Sequence, residues 1–237
     1  MNERNICVDC PARCDAAPRP RHDFEKDAEY AEAMELELAA LLDANPGVRA
    51  RKSPRHEMPD IEVSDRRTGE VICYVEVKAL KRAFMGVERI LPESGLTAPE
   101  TVELNTSDLM RYDLIRRAVG KPVFVLWRIS ERPCLTPESG YRCFFGGVGE
   151  LMRIRARTAD VRTYRRKTRA GDVVNGEHKG VVVNFHFSVA ELTEARPENC
   201  LSEILAQVRR AGRQPGQAPG RSEAGRKGEA RRKGESA

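Results

Sequence analysis

The sequence predicts an α/β fold built in the order helix, three strands, helix, strand, and three observations carry that prediction. Apolar residues recur at steps of three and four from Asp23 to Ala44, Pro59 to Lys78 alternates about a central turn, and Val123 to Ile129 is an almost unbroken apolar run. The first has the period of a helix with one buried face, the second that of a hairpin, and the third that of a strand covered on both sides.

In chain order, Ala31, Met34, Leu38, Leu41 and Leu42 form the stripe of the first helix, which Asn45-Pro46-Gly47 ends with turn chemistry. Glu35 falls inside the stripe, either as an acid with a task or as one snorkelling at its edge. Val48 to Lys52 is a short first strand. In the hairpin, Ile61 and Val63 alternate with polar residues, Arg66 to Gly69 breaks the pattern, and Val71 to Val77 resumes it. The period of two places Val71, Cys73, Val75 and Val77 on one face and Ile72, Tyr74, Glu76 and Lys78 on the other. Leu80 to Asn105 is a long connection carrying Lys81, Arg82 and Arg89, strand-like from Thr101 to Leu104. Thr106 or Ser107 caps a second helix whose Leu109, Tyr112, Ile115 and Val119 share a face, and Gly120 and Pro122 terminate it.

Asp60 begins the first hairpin strand, so pairing brings its carboxylate beside that of Glu76, with the Lys78 ammonium next to both. Two carboxylates and a lysine at one sheet end suit a hard cation such as Mg²⁺, which takes few carboxylates and keeps several waters. Such an ion neutralises phosphate charge and lowers the pKa of water, while a lysine orients the nucleophile or stabilises developing negative charge. The competing reading is a surface hairpin with an exposed ion pair.

Pro59-Asp60, fifteen residues, then Glu76-Val77-Lys78 resembles the signature of the PD-(D/E)XK nuclease superfamily. The resemblance covers Asp23 to Ser130. It implies a restriction-endonuclease-like αβββαβ core, with a central mixed sheet flanked by helices, and hydrolysis of phosphodiester bonds dependent on Mg²⁺ or Mn²⁺. It implies metal ligation at Asp60, Glu76, Val77 and Glu35, with Asp60, Glu76, Lys78 and Glu35 catalytic. Glu35, with Gly47 twelve residues on, resembles the acid supplied by the helix before the sheet. Asp108 and Tyr112, four apart on one helix, resemble the Gln-x-x-x-Tyr element of RecB-like nucleases, with Asp where Gln is usual. The implied partner is nucleic acid, DNA ahead of RNA, and the form of the assembly is open, a homodimer included.

The remaining sequence surrounds this core. The 237 residues are 32% charged and carry a formal net charge of +5. Gly212 to Ala237, rich in Gly, Pro, Arg and Glu, has seven Arg or Lys against three Glu and reads as a disordered basic tail. Residues 131–211 form an α+β extension, with a strand at Tyr141 to Val148, an alternating run from Val181 to Phe187 that makes His186 structural, and an amphipathic helix from Pro197 to Ala211. The Leu151 to Arg169 run is dense in base. It suits a phosphate channel through Arg162, Arg165, Arg166 and Lys167, or is a solvated face. Residues 1–22 hold Cys7-x-x-Cys10-x-x-x-Cys14, where three thiolates can share Zn²⁺ or, less readily, an iron–sulfur cluster. His22 or Cys200 would be the fourth ligand; free thiols are the alternative. Without a secretory signal or a long apolar run, the chain is expected to be cytoplasmic and to have no membrane partner. Two other functions stay open, a nuclease-fold module that binds nucleic acid or protein without cutting, and a zinc-centred interaction protein.

Overall fold

Helix α1 (Phe24–Asp43) leads into an antiparallel meander of β1 (Val48–Lys52), β2 (Ile61–Asp65) and β3 (Val71–Leu80). The computed structural model describes residues 24–212 except 56, 82, 133, 137–139, 166–172, 175–176, 179–181 and 197–198. After β3 come α2 (Val87–Ile90), β4 (Thr101–Asn105), α3 (Thr106–Val119), β5 (Val123–Ser130), β6 (Tyr141–Gly147) and α4 (Val148–Arg162). The strands β7 (Thr163–Arg165), β8 (Val173–Val174), β9 (Glu177–His178), β10 (Val183–Ser188) and β11 (Thr193–Ala195) precede α5 (Cys200–Gly212).

The central sheet runs β1-β2-β3-β5-β6-β11, mixed because β3 and β5 are parallel and their neighbours antiparallel. A parallel pair needs a long crossover, and Lys81 to Pro122 supplies it. Helices flank the sheet as the sequence predicts. On one face Leu38, Ala39 and Leu42 of α1 and Leu201 and Ile204 of α5 pack on Val63, Val75 and Leu126. On the other, α3 and α4 pack through Leu109, Tyr112, Leu151 and Ile154 on Val125, Trp127 and Phe144. Each such apolar side chain contributes about 1.5–3 kcal/mol on burial. Alternate residues of β5 enter the two cores, which is why its sequence is continuously apolar.

The hairpin turn is fixed by its own residues. Asp65 Oδ1 accepts from the N–H groups of Arg67 and Thr68 at 2.9 and 2.7 Å, and Gly69 takes φ 72°, a left-handed conformation open to glycine.

Several local expectations need correction. Leu41 is 41% exposed and lies off the buried face of α1, while Ala39 lies on it. The pairing of β2 with β3 shifts at Val63/Ser64, so Ile72 is an extra residue in β3; Val71 and Ile72 therefore pack on the faces opposite to those a strict period assigns. Asn105, rather than Thr106 or Ser107, sits at the N-cap of α3, without a side-chain capping bond. The segment beyond Ser130 is joined to the sheets, since β6 and β11 extend the central one. A second sheet, β4-β10-β7, joins the crossover to the distal segment. Its one face, with Phe185 and Phe187, enters the α3–α4 core; the other is covered by Phe84, Met85, Val87 and Leu91. Among the described residues, no helix is long and apolar enough to cross a membrane.

Candidate active site

The register Ile61↔Val75 places Asp60, at the entry of β2, beside Glu76 in mid-β3. Ser53 N–H donates to the Asp60 carbonyl at 2.7 Å, and Val77 N–H donates to Asp60 Oδ2 at 2.8 Å, so both main chain and side chain of Asp60 are fixed. Glu76 is 4% exposed. Lys78 Nζ lies 2.5 Å from Glu76 Oε1 and 4.0 Å from Asp108 Oδ2 at the start of α3. Asp108 Oδ1 is 3.2 Å from Arg111 Nη2, which donates to the Tyr112 hydroxyl at 2.9 Å. The predicted Asp60, Glu76 and Lys78 thus meet, and Asp108 and Tyr112 close the site from α3.

The charges explain the titration. Burial, then the Glu76 charge, raises the Asp60 carboxyl from its usual range to about 7, against the lowering by the Val77 N–H bond. Burial alone would lower the Lys78 ammonium, but Glu76, Asp108 and Asp60 together hold it above its ordinary value. Tyr112 is likewise raised, by burial and by the Glu76 charge, and stays a neutral phenol.

Glu35 on α1 pairs with Lys52, its Oε2 lying 3.2 Å from Lys52 Nζ, and its charge adds a smaller share to the rise of Asp60. Lys52 also holds Glu32 at 2.8 Å. Val77 has only its backbone to offer: its N–H is engaged by Asp60, leaving its carbonyl as the sole donor atom toward an ion. Among the described residues no three His, Cys, Asp or Glu side chains are grouped to hold an ion. Mg²⁺ does not require three, because one or two carboxylates and water complete its octahedron. The half-buried Asp60 has no ion-pair partner among the described residues and the buried Glu76 has Lys78, and this hard donor pair fits such an ion.

The other expected site residues fall elsewhere. Arg162 Nη1 pairs with Glu191 Oε2 at 2.5 Å, its side chain 12% exposed, whereas Arg165 is exposed on β7; Arg166 and Lys167 lie outside the described residues. Cys7, Cys10, Cys14 and His22 also lie outside them. Cys200, considered as a fourth ligand, is 0% exposed in the core beside α1, where burial pushes its thiol up to about 12. It packs as a small apolar group. Arg111 escaped sequence reasoning, although its place three residues after Asp108 on a helix was the available signal.

No family model matches the sequence, and no curated protein matches it. Among solved structures, the chain is similar to the 1.6 Å structure of Archaeoglobus fulgidus Hjc, a Holliday junction resolvase from an archaeal hyperthermophile. The identity is 14% and the TM-score 0.35, over 76% of this chain and 96% of that one. At that TM-score the likeness carries neither fold nor function, and both rest on the topology and side chains of this chain.

Proposed function

We propose that this chain is a PD-(D/E)XK-type nuclease that hydrolyses phosphodiester bonds, in DNA ahead of RNA, with Mg²⁺ or Mn²⁺. One observation carries the reading: the half-buried Asp60 stands beside the buried Glu76, whose ion pair is with Lys78, and burial, then the Glu76 charge, raises Asp60 to about 7. Such a pair is costly unless a cation joins it.

Asp60 and Glu76 would hold that ion, the Val77 N–H fixing the Asp60 carboxylate and the sheet fixing Glu76. When bound, the ion supplies charge neutralisation at the phosphate and water of lowered pKa. Lys78, raised in pKa, keeps its proton at neutral pH; it therefore acts by donating to developing negative charge rather than as a base. Asp108 holds the ammonium on its other side, and Tyr112 limits the movement of Glu76.

The test is incubation of the full chain with linear, circular and single-stranded DNA, and with RNA, under Mg²⁺, Mn²⁺ or EDTA. Divalent-dependent cleavage that EDTA stops and Glu76→Ala removes is expected. Binding of DNA with no cleavage under either ion would select the non-catalytic module instead.

A further inference from the structure

A groove of about 1280 Å³ lies at the end of the central sheet where β3 and β5 begin, opposite to the end that carries Lys78. Its walls are the turn between β2 and β3, the last turn of α3, the first turn of α4 and the last turns of α5. Six cations line it, Arg67, Arg116, Arg117, Lys121, Arg153 and Arg210, against the acids Asp65, Glu70 and Glu150. That is a net +3 in a chain whose formal charge is +5. Residues 212–237, with seven Arg or Lys and three Glu, hold +4 of the total, so everything outside the groove and this tail amounts to −2. The positive excess of residues 1–211 is therefore concentrated in one place.

The local acids do not use this charge up. Asp65 spends Oδ1 on the N–H groups of its own turn, while Glu70, 71% exposed, and Glu150, 42% exposed, meet Lys121 and Arg153 in surface pairs. Such pairs are worth about 0–1 kcal/mol and exchange readily for a better anion. Among the described residues, no acid pairs with the side chain of Arg67 or Arg210. Helix α3 ties the groove to the candidate active site. Asp108, Tyr112 and Arg116 follow one another at steps of four, so a single helix face leads from the Lys78 ammonium to the groove over about 12 Å. Along one nucleic-acid strand that is three or four nucleotides at about 3.4 Å each. The basic tail leaves α5 beside the groove, but its like charge excludes it as the occupant and adds to the attraction for a polyanion. We propose that the groove binds the phosphate backbone of duplex nucleic acid, three or four base pairs from the bond held at Asp60 and Glu76. Its guanidiniums, planar forks that match two phosphate oxygens, would set the position and direction of the duplex and take no part in the chemistry. The identity of the occupant rests on the nuclease reading, whereas the binding assigned to the groove does not require cutting.

The test measures binding alone. Affinity of the full chain for a duplex of about 20 base pairs is followed by fluorescence anisotropy in EDTA, so that no cleavage intervenes, between about 50 and 200 mM salt. Combining Arg67→Gln, Lys121→Gln, Arg153→Gln and Arg210→Gln should lower the salt slope by about three and the affinity at least tenfold, with the thermal melt unchanged because none of the four is buried. Glu70→Gln and Glu150→Gln together release Lys121 and Arg153 and should tighten binding and steepen the slope, a gain that misfolding cannot produce. A wild-type chain that binds while the fourfold variant keeps its slope would overturn the groove and leave the nuclease reading to its own cleavage test. Absence of duplex binding by the wild type in EDTA, or displacement of the duplex by poly-glutamate of equal charge as readily as by unlabelled duplex, would overturn it too, the second in favour of an acidic protein partner.

Discussion

Two buried carboxylate sites, one on α3 and one on the sheet beside its start, treat charge in opposite ways. Asp113, 4% exposed, gives Oδ1 to Arg116 at 2.7 Å and Oδ2 to Arg117 at 2.7 Å, so one acid is met by two guanidiniums that reach toward solvent. At the other site three acids, Asp60, Glu76 and Asp108, stand around two cations, Lys78 and Arg111, neither of which pairs with Asp60, and burial with the Glu76 charge raises Asp60 to about 7. An acid that is over-compensated serves the fold, whereas a pair that is under-compensated is what the proposed ion would complete. Burial alone does not separate the two; the count of opposite charges around each acid does.

The largest expected contrast is in cleavage. Asp60→Ala or Glu76→Ala should reduce divalent-dependent cleavage by on the order of 10³-fold, since each removes half of the ion's protein ligands. Thermal melts without metal should be unchanged or higher for Asp60→Ala, because a repulsion is relieved, and lower for Glu76→Ala, which leaves Lys78 without its partner. Asp113→Ala should keep the cleavage rate and lose about 1–2 kcal/mol of stability in urea unfolding, discounted for the exposure of both arginines. Swapped outcomes would remove the distinction between the sites. Lys78→Met sharpens it, abolishing cleavage while calorimetry finds Mg²⁺ bound no more weakly.

A smaller effect is the pH dependence of stability without metal. An acid whose folded pKa is raised binds more protons in the native state, so stability falls as pH rises from the unfolded carboxylate value towards about 7. Asp60→Asn should flatten that slope between roughly pH 4 and 7. A slope untouched by Asp60→Asn would deny the strain at the pair. The smallest effect concerns the basic segment. Arg165→Gln should reduce the salt slope of DNA binding by about one, and Arg162→Gln, which breaks the Glu191 pair, should lower thermal stability and leave the slope alone.

Sequence reasoning reached the features governed by local period. The first helix, the hairpin, β5 and the spacing of Asp60, Glu76 and Lys78 are set by residues near one another, and they stand where expected. The second sheet was not legible, because Glu103 and His186 meet from 83 positions apart and no periodicity encodes that pairing. The bulge at Ile72 was hidden for a related reason: an apolar residue reads alike on either face, and only the partner strand reveals the extra one. Arg162 looked like any member of a basic run until Glu191, distant in sequence, paired with it.

The strain at the carboxylate pair is measured most directly by the protons released when Mg²⁺ binds. Calorimetric titration of the full chain at pH 6, in two buffers of different ionisation enthalpy, should find release of about one proton per ion, because Asp60 is largely protonated there and must ionise to ligate. At pH 8 release should fall towards zero, and in Asp60→Asn it should be absent at both. Binding at pH 6 with no proton release, or release of the same size from Asp60→Asn, would mean that Asp60 and Glu76 are not a strained pair awaiting a cation.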